Sequence, residues 1–508
     1  MDRTQILAEI KRFFDAEELV CNHTLERHKN ASWRFLDTMY LWCLLVIRRD
    51  ILRKPMYCNN HSAGQHQRGL RCNLCELVKS KDRVYLSGHC VDENTEILTT
   101  NGWKTRQTIS ENDTIISMNL NSGFIETAPI NFIVDKDYEG KLYEYKGKAI
   151  NYAVTPEHRM IVKSCDKIYK RVSDRVISEK WAKYLNEKKQ TRKWHFGFAD
   201  EMPTKTDIMV AGKNRGTTCL GDTEMDFLKL CLAVIADGNV NIDKRCPTHK
   251  SIRFTLKKER KINELETLLQ RLNVSYNKSY AKSREKQGQY GVYAISIRKK
   301  DSERIISVIG PNKKIPSSIL QLPSGQISEL LQYYSLYDGC NIQKDGGKYW
   351  SISTSDKDNA DLLNAMATLS MHSCSMTARM PRKREINGRE VKSSKIHYAL
   401  SLREREGYRY NKQNLSVVDY KGKVWCVNSD LGTIITRRDG KTMIIGNCLG
   451  KAGDFTVAGM TAEEARQKIK QFQHLLPCPI RLEEGVSWLH FDVMPNDAGV
   501  KVYGFTEN

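Results

Sequence analysis

The alternation of apolar and polar positions changes character several times along the chain. Residues 1–89 have helical spacing. From Cys90 short alternating strands are separated by turn residues, a pattern typical of an all-β module. Residues 222–405 mix helix and strand patterns, strands return in 406–447, and after Cys448 a Thr-x-x-Glu capping box opens another helix. These patterns predict a multidomain α+β protein with the segments 1–89, 90–221, 222–405, 406–447 and 448–508, in which a β-module is split by an α/β module and both interrupt a third domain.

Composition narrows the class of protein. The chain has 508 residues and a net charge of +21, which favours an anionic partner such as nucleic acid, although a solvated basic surface is the simpler alternative. The most apolar run, Met39 to Ile47, is too short to span a bilayer and predicts a buried helix. We expect no membrane partner and, without an export signal, a cytoplasmic location. Fifteen cysteines in such a chain suggest reactive or metal-binding thiols.

Four groups with the chemistry of protein splicing occur in the required order. Cys90 opens the β-module, Thr155 and His158 follow a strand, and Asn447 precedes Cys448. A thiol is a good nucleophile for an acyl shift, and a thioester transfers readily. Thr155 and His158 are suited to hold and protonate the departing amide nitrogen. Each residue alone is weak evidence, since a lone His in this setting is more often structural, but their order and strand context predict a splicing element.

The segments that carry these groups resemble inteins. CVDENTEILTTNGW resembles an intein start, YAVTPEHRMIV its T-x-x-H block, and VWCVNSDLGTIITRRDGKTMIIGNC its C-terminal end with the acceptor. The resemblance implies that Cys90 is the first nucleophile, that Thr155 and His158 assist it, that Asn447 cyclises and that Cys448 accepts the acyl chain.

The chain departs from the intein pattern near its C-terminal end. Gly446 stands where most inteins have His before the terminal Asn, and the usual upstream His is missing around Gly432 to Ile434. Cys426 replaces the usual Asp of the preceding block. We hypothesise that Cys426 assists the thioester chemistry, by proton transfer or as a relay nucleophile; the alternative is a buried strand cysteine.

Two predicted helices of the central segment end in Asp-Gly. LCLAVIADG ends at Asp237 and Gly238, and LQYYSLYDG ends at Asp338 and Gly339. Two such helices packed side by side would bring both carboxylates to one point, where they suit Mg²⁺ and phosphodiester cleavage. One such motif alone would suggest only a C-cap glycine in the left-handed region.

The pair resembles the two LAGLIDADG motifs of homing endonucleases, and Lys313 to Pro316 resembles that family's K-x-I-P stretch. The resemblance implies that Asp237 and Asp338 are catalytic magnesium ligands and that the substrate is double-stranded DNA at the insertion site. Basic runs at Lys257 to Lys261, Arg298 to Lys300 and Arg379 to Arg389 suit phosphate contacts.

Removing residues 90–447 joins two halves of a third motif. His89 then directly precedes Cys448, which gives S-x-H-x-x-G-x-A-x-D from Ser87 through Asp454 in about 150 remaining residues. EGVSWLHFD follows downstream, with His490. Two His and one Asp with an open position for water are the pattern of catalytic zinc. The alternative is three unrelated surface residues.

The joined motif resembles zinc peptidases of the D-alanyl-D-alanine carboxypeptidase and hedgehog-fold group (peptidase M15-like). The resemblance implies zinc ligands His89, Asp454 and His490, and a peptidoglycan peptide as substrate. Glu484 is the first choice for the base and Asp492 the second, because Ser487 stands where some members have an acid; Arg71 is a candidate for substrate binding. We expect the spliced domain to be a monomer, and a phage origin is plausible.

The three resemblances together imply an all-β Hint/intein splicing module split by an α/β LAGLIDADG endonuclease, nested in a small α+β zinc peptidase. A cluster of Cys58, His61, His66, Cys72 and Cys75 offers a structural zinc site or, as we favour, free thiols. Three alternatives stay open: a hedgehog-like autoprocessing precursor, a splicing-only intein with an inactive endonuclease, and a non-enzymatic basic DNA-binding protein.

Overall fold

The computed structural model describes most of the chain. The described residues are 38–54, 56–58, 90–156, 158–164, 194–200, 202, 206–242, 250–280, 292–344, 347–381, 383–386, 389–392, 395–447, 452–487, 489–493 and 499–505. They form a mixed α/β protein with a large share of sheet. Among them, no helix has the length and apolar character needed to cross a membrane.

The flanking module is built from both ends of the chain. Its elements are α1 (Thr38–Val46), a π-helix (Ile47–Leu52), β1 (Met56–Cys58), β26 (Ala452–Val457), α7 (Ala462–Gln471), a 3-10 turn (Gln473–Leu475), β27 (Ile480–Glu483), β28 (Leu489–Asp492) and β29 (Val502–Phe505). The sheet order is β1-β26-β28-β27-β29. Met56 on β1 lies opposite Val457 on β26, and one apolar cluster joins residues 40–56 to residues 457–491. The residues before and after the central block therefore share one core.

The β-module comes from two stretches on either side of the central module. The first stretch contains β2 (Val91–Asp92), β3 (Glu96–Thr99), β4 (Gly102–Lys104), β5 (Thr114–Asn119), β6 (Phe124–Pro129), β7 (Phe132–Lys146), β8 (Asn151–Val154), β9 (Arg159–Ser164), β10 (His195–Phe198) and β11 (Thr206–Met209). The second contains β22 (Gly407–Arg409), a 3-10 turn (Lys412–Asn414), β23 (Leu415–Asn428), β24 (Thr433–Arg438) and β25 (Lys441–Gly446).

Long-range antiparallel pairing closes this module. β2, β23, β7 and β8 form a closed barrel, and β23 runs antiparallel to β7 over its whole length, from Leu415 opposite Tyr145 to Asn428 opposite Phe132. β24 pairs with β25 and with β3. The inward side chains, among them Trp425 and Val154, form a separate apolar core.

The central module contains the remaining elements. They are α2 (Asp222–Asp237), β12 (Gly238–Ile242), β13 (Lys250–Leu256), α3 (Glu259–Arg271), β14 (Tyr276–Tyr280), β15 (Tyr293–Ile297), α4 (Lys299–Ile309), a 3-10 helix (Ser317–Gln321), α5 (Ser324–Asp338), β16 (Gly339–Lys344), β17 (Gly347–Thr354), α6 (Lys357–Leu369), β18 (His372–Arg379), β19 (Lys383–Ile386), β20 (Arg389–Lys392) and β21 (His397–Glu404).

The central module repeats one arrangement, a helix followed by an antiparallel sheet. After α2 the sheet order is β12-β13-β15-β14, and after α5 it is β16-β17-β21-β18. The buried positions of α5, including Ile327, Leu330, Leu331 and Tyr334, recur at helical spacing and pack it against α2. β18 also pairs with β25, so the second sheet continues into the β-module.

Candidate junction and nuclease sites

Thr155 contacts Cys90, which is the predicted upstream junction. The backbone N–H of Cys90 donates to Thr155 Oγ1 at 3.1 Å, and the backbone N–H of Thr155 donates to the Cys90 carbonyl oxygen at 3.1 Å. The backbone N–H of His158 donates to the Thr155 carbonyl oxygen at 3.0 Å. All three side chains are buried. The geometry thus places Cys90, Thr155 and His158, the three residues predicted for this junction, next to one another.

Strand register brings Cys426 to the same place. On β2, Val91 lies opposite Trp425 of β23 and opposite Val154 of β8. Extending both antiparallel registers by one residue sets Cys90 between Cys426 on one side and Thr155 on the other. Cys426 is buried, and its thiol lies 3.4 Å from the carbonyl oxygen of Val427.

Polar contacts hold Asn447, which is the predicted downstream junction. Asn447 is buried, and its side-chain Nδ2 donates to the Ser429 carbonyl oxygen at 2.9 Å. Its backbone N–H donates to the Gly432 carbonyl oxygen at 3.2 Å. Arg159 donates from Nη2 to the backbone oxygen of Asn447 at 2.8 Å. The only sequence signal for Arg159 is its position directly after His158.

The acids of the two Asp-Gly motifs end the packed helices α2 and α5. Burial and the nearby charge of Asp237 raise the pKa of Asp338 to about 6, against the opposing effects of Lys261 and Lys313. Lys261 forms an ion pair with Asp237. Lys313 donates to the carbonyl oxygens of Ile235 at 3.2 Å and Gly238 at 2.9 Å, and burial lowers its pKa.

The left-handed C-cap weighed for these glycines is wrong. Gly238 has φ −77° and ψ 147°, and Gly339 has φ −127° and ψ 170°, so both backbones are extended. Glycine is needed for a different reason. A Cβ at 238 would lie 2.7 Å from Val234 Cα, and one at 339 would lie 2.6 Å from the Ser335 carbonyl oxygen. The strand that begins at each glycine therefore starts in close contact with the last turn of the preceding helix.

The donor set at these helix ends fits a divalent cation. Two carboxylates that repel each other would both be stabilised by a cation between them. Mg²⁺ is commonly bound by one or two carboxylates together with substrate phosphates. Within the described part of the chain, no group of three or more His, Cys, Asp or Glu side chains is placed to hold a metal ion by itself.

The proposed zinc residues are only partly described. Asp454 on β26 lies directly opposite His490 on β28 in the antiparallel register. His490 Nε2 lies 3.6 Å from Asp492 Oδ2. Of the two candidate bases, Asp492 is buried in an ion pair with Arg481 and Glu484 pairs with Lys470 at 2.6 Å.

Several residues named from the sequence lie outside the described residues. They are Arg71, His89 and Cys448, and His61, His66, Cys72 and Cys75 of the cysteine–histidine cluster.

Comparison with known proteins gives distant similarities. No protein-family model matches the chain. The ribonucleoside-diphosphate reductase subunit beta of Aquifex aeolicus (strain VF5) is 25% identical over 401 residues, which cover 75% of this chain and 53% of that protein. The chain therefore spans about half the length of this curated relative.

The similar solved structures include homing endonucleases and a LAGLIDADG domain. Homing endonuclease I-DmoI in complex with DNA and Mn is 13% identical, covering 36% of this chain and 90% of that chain, with a TM-score of 0.23. I-WcaI bound to its DNA recognition sequence is 14% identical, covering 37% and 78%, with a TM-score of 0.24. Full-length DUF199/WhiA is 12% identical, covering 36% and 53%, with a TM-score of 0.24.

Proposed function

We propose that residues 90–447 form a self-splicing element that carries a DNA endonuclease and interrupts a zinc peptidase. One observation carries the splicing proposal. The connection between β8 and β9 contacts both ends of the insert, because Thr155 binds Cys90 and Arg159 binds Asn447. Two junctions that are distant in sequence are thereby held by one short segment, as joining their flanks requires.

In the proposed reaction, the Cys90 thiol attacks the carbonyl carbon of His89 and converts that peptide bond to a thioester. Thr155 and His158 assist the departing nitrogen. The acyl chain then passes to the Cys448 thiol, and cyclisation of Asn447 releases the insert. A final shift of the acyl group from sulfur to the freed nitrogen forms the new peptide bond. Cys426, set beside Cys90 by the strand register, acts on the thioester as a relay nucleophile or in proton transfer.

The test is to express the full chain and weigh its products. Splicing yields two chains, one of residues 1–89 joined to 448–508 and one of residues 90–447. The matched control is the double variant Cys90→Ala, Asn447→Ala, which should remain intact. A hedgehog-like autoprocessing precursor would instead release residues 1–89 without joining them to 448–508. Only intact wild-type chain under every folding condition would refute splicing.

We further propose that the central module cleaves double-stranded DNA at the intein-free insertion site. Asp237 and Asp338 end two packed helices, and the charge of Asp237 helps burial to raise the pKa of Asp338, which supports a shared cation site. A bound Mg²⁺ would supply charge to stabilise the leaving oxygen of the phosphodiester. Lys261 and Lys313 provide further positive charge around the pair. A plasmid that carries the uninterrupted coding junction should be cut with Mg²⁺, and neither the Asp237→Asn nor the Asp338→Asn variant should cut it.

The ligated flanks are proposed to be a zinc peptidase that acts on peptidoglycan peptides. The shared core of the two flanks and the pairing of Asp454 with His490 support this proposal. Splicing would add His89 seven positions before Asp454 in the joined chain. The spliced product should bind zinc and cleave a stem peptide, whereas the Cys90→Ala, Asn447→Ala precursor should do so poorly. Equal activity of the two forms would contradict the proposal.

A further inference from the structure

Arg159 is a buried cation aimed at the downstream junction. It is 5% exposed, and its Nη2 lies 2.8 Å from the backbone oxygen of Asn447, 3.2 Å from the Asn447 side-chain oxygen and 3.0 Å from the Gly432 carbonyl oxygen. The guanidinium carbon lies 4.3 Å from the ring centroid of Phe196, which is a cation–π contact. A charge this deeply buried requires such partners. Here, one of those partners is the carbonyl oxygen of the bond that the proposed splicing would break.

The contacts of Arg159 fall where the chain lacks two histidines. Gly432 accepts from Arg159 directly. Ile445 lies opposite Met160 in the antiparallel register, so Gly446 follows opposite Arg159. A Cβ at 446 would lie 2.6 Å from Arg159 Cβ and 3.2 Å from its Nε. The absence of a side chain at 446 therefore makes room for Arg159.

The chemistry of Asn447 cyclisation requires stabilisation at the oxygen that Arg159 contacts. The side-chain Nδ2 attacks the carbonyl carbon of the same residue, and the carbonyl oxygen takes up negative charge. The bond to the Cys448 nitrogen then breaks, and a proton passes overall from Nδ2 to that nitrogen. The step is an intramolecular transamidation that cleaves the chain and leaves a succinimide on one product and a free amine on the other, so it needs no other reactant. A fixed donor is most effective where such charge develops.

We infer that Arg159 stabilises the oxyanion of Asn447 cyclisation and so replaces the missing histidines as the electrostatic catalyst of the downstream junction. The guanidinium stays protonated in proteins, so it acts through charge and hydrogen bonding and does not deliver the proton. The hydrogen bond that Asn447 Nδ2 donates to the Ser429 carbonyl oxygen orients the attacking amide. This role rests on the proposed splicing function.

The experiment uses the full-length precursor and follows its two junctions separately. Cleavage of the bond before Cys90 by added thiol reports the first step, and release of residues 448–508 reports cyclisation. Arg159→Gln is expected to slow cyclisation about 10²–10³-fold, the usual loss for one oxyanion donor, and to leave thiol cleavage within a few-fold of wild type. Arg159→Lys should recover part of the rate.

Chemical rescue separates catalysis from structure. Guanidinium chloride at a low, non-denaturing concentration should accelerate cyclisation in Arg159→Ala, whereas sodium chloride at the same concentration should not. The matched control is Arg437→Gln, which removes another buried arginine of the same sheet that pairs with Glu96 and Asp361. It should affect both junctions alike.

Each outcome decides the assignment. A selective loss at the downstream junction with rescue supports it. Unchanged cyclisation in Arg159→Gln, or equal loss at both junctions without rescue, overturns it and leaves Arg159 a structural residue. If wild-type precursor shows neither thiol cleavage nor cyclisation, the proposed splicing function itself fails, and that result is distinct from failure of Arg159 alone.

Discussion

Replacing Asp338 by Asn should stabilise the metal-free protein at neutral pH while it abolishes DNA cleavage. In the folded chain, burial and the charge of Asp237 raise the pKa of Asp338 to about 6 from the ordinary value of 3.8. The folded state thus holds this proton more tightly than the unfolded state. The carboxyl contributes stability at low pH, and that contribution is lost as pH rises from about 3.8 through 6.

The difference between 3.8 and about 6 corresponds to about 3 kcal/mol at full strength. The side chain is partly exposed, so solvent screening reduces the expected effect to about 1–2 kcal/mol. For a unit of 150–250 residues this change moves the melting temperature by about 2–8 °C. Asn has nearly the shape of Asp without the charge, so the Asp338→Asn variant should recover most of this stability at neutral pH.

Thermal melts in EDTA at pH 4.5 and pH 7.5 measure the effect. The Asp338→Asn variant should melt higher than wild type at pH 7.5 and show a smaller difference at pH 4.5. Asp356→Asn is the matched control of opposite sign, because the ion pair with Lys314 at 2.6 Å helps to lower the pKa of Asp356. It should lower the melting temperature at pH 7.5. The reasoning would be refuted if Asp338→Asn melted no higher than wild type at pH 7.5, or if the increase in melting temperature were the same at both pH values.

Three further perturbations test the other sites. Cys426→Ala should slow splicing at least 10-fold by product mass if the thiol acts on the Cys90 thioester, whereas full activity would make it a buried strand cysteine. Gly446→Ala should slow cyclisation but not thiol cleavage before Cys90, because its Cβ would displace Arg159; unchanged release of residues 448–508 would contradict that steric argument. Arg437→Met should destabilise the chain by about 3–5 kcal/mol in denaturant unfolding, because the partly buried Glu96 and Asp361 lose their shared cation.

The sequence reveals those features of the fold and site that depend on local patterns. Alternation locates strands such as β5 and β8, and the helical spacing before Asp237 and Asp338 locates the helices that carry the acids. The sequence also shows that Cys90, Thr155 and Asn447 occur in the order that protein splicing requires. It does not say which distant strands pair, so the setting of Cys426 beside Cys90 depends on the register of β2 with β23.

The position of Arg159 beside Asn447 could not be predicted from local sequence patterns. In the sequence, Arg159 is one basic residue on a predicted strand. Gly432 and Gly446 stand out only as positions where the usual histidines are missing. Their connection requires a register between β9 and β25 and a contact across the loop before β24, neither of which has a local signal. A glycine in the sequence does not say whether it serves a left-handed backbone or a close approach of backbone, and at 238 and 339 it serves the close approach.

Because the connection between β8 and β9 contacts both predicted junctions, it bears on the order of the proposed splicing steps. Thr155 and Arg159 lie at the two ends of one short connection between β8 and β9, and strand pairing anchors that connection on both sides. In the proposed reaction, loss of the acyl chain from Cys90 and the stabilisation of Asn447 by Arg159 would therefore act on the same connection. If the chain splices as proposed, we expect the first step to influence the last through this packed segment. Cyclisation of Asn447 before the acyl transfer would cut the chain without joining it, so a connection that responds to the upstream junction favours ligation over cleavage.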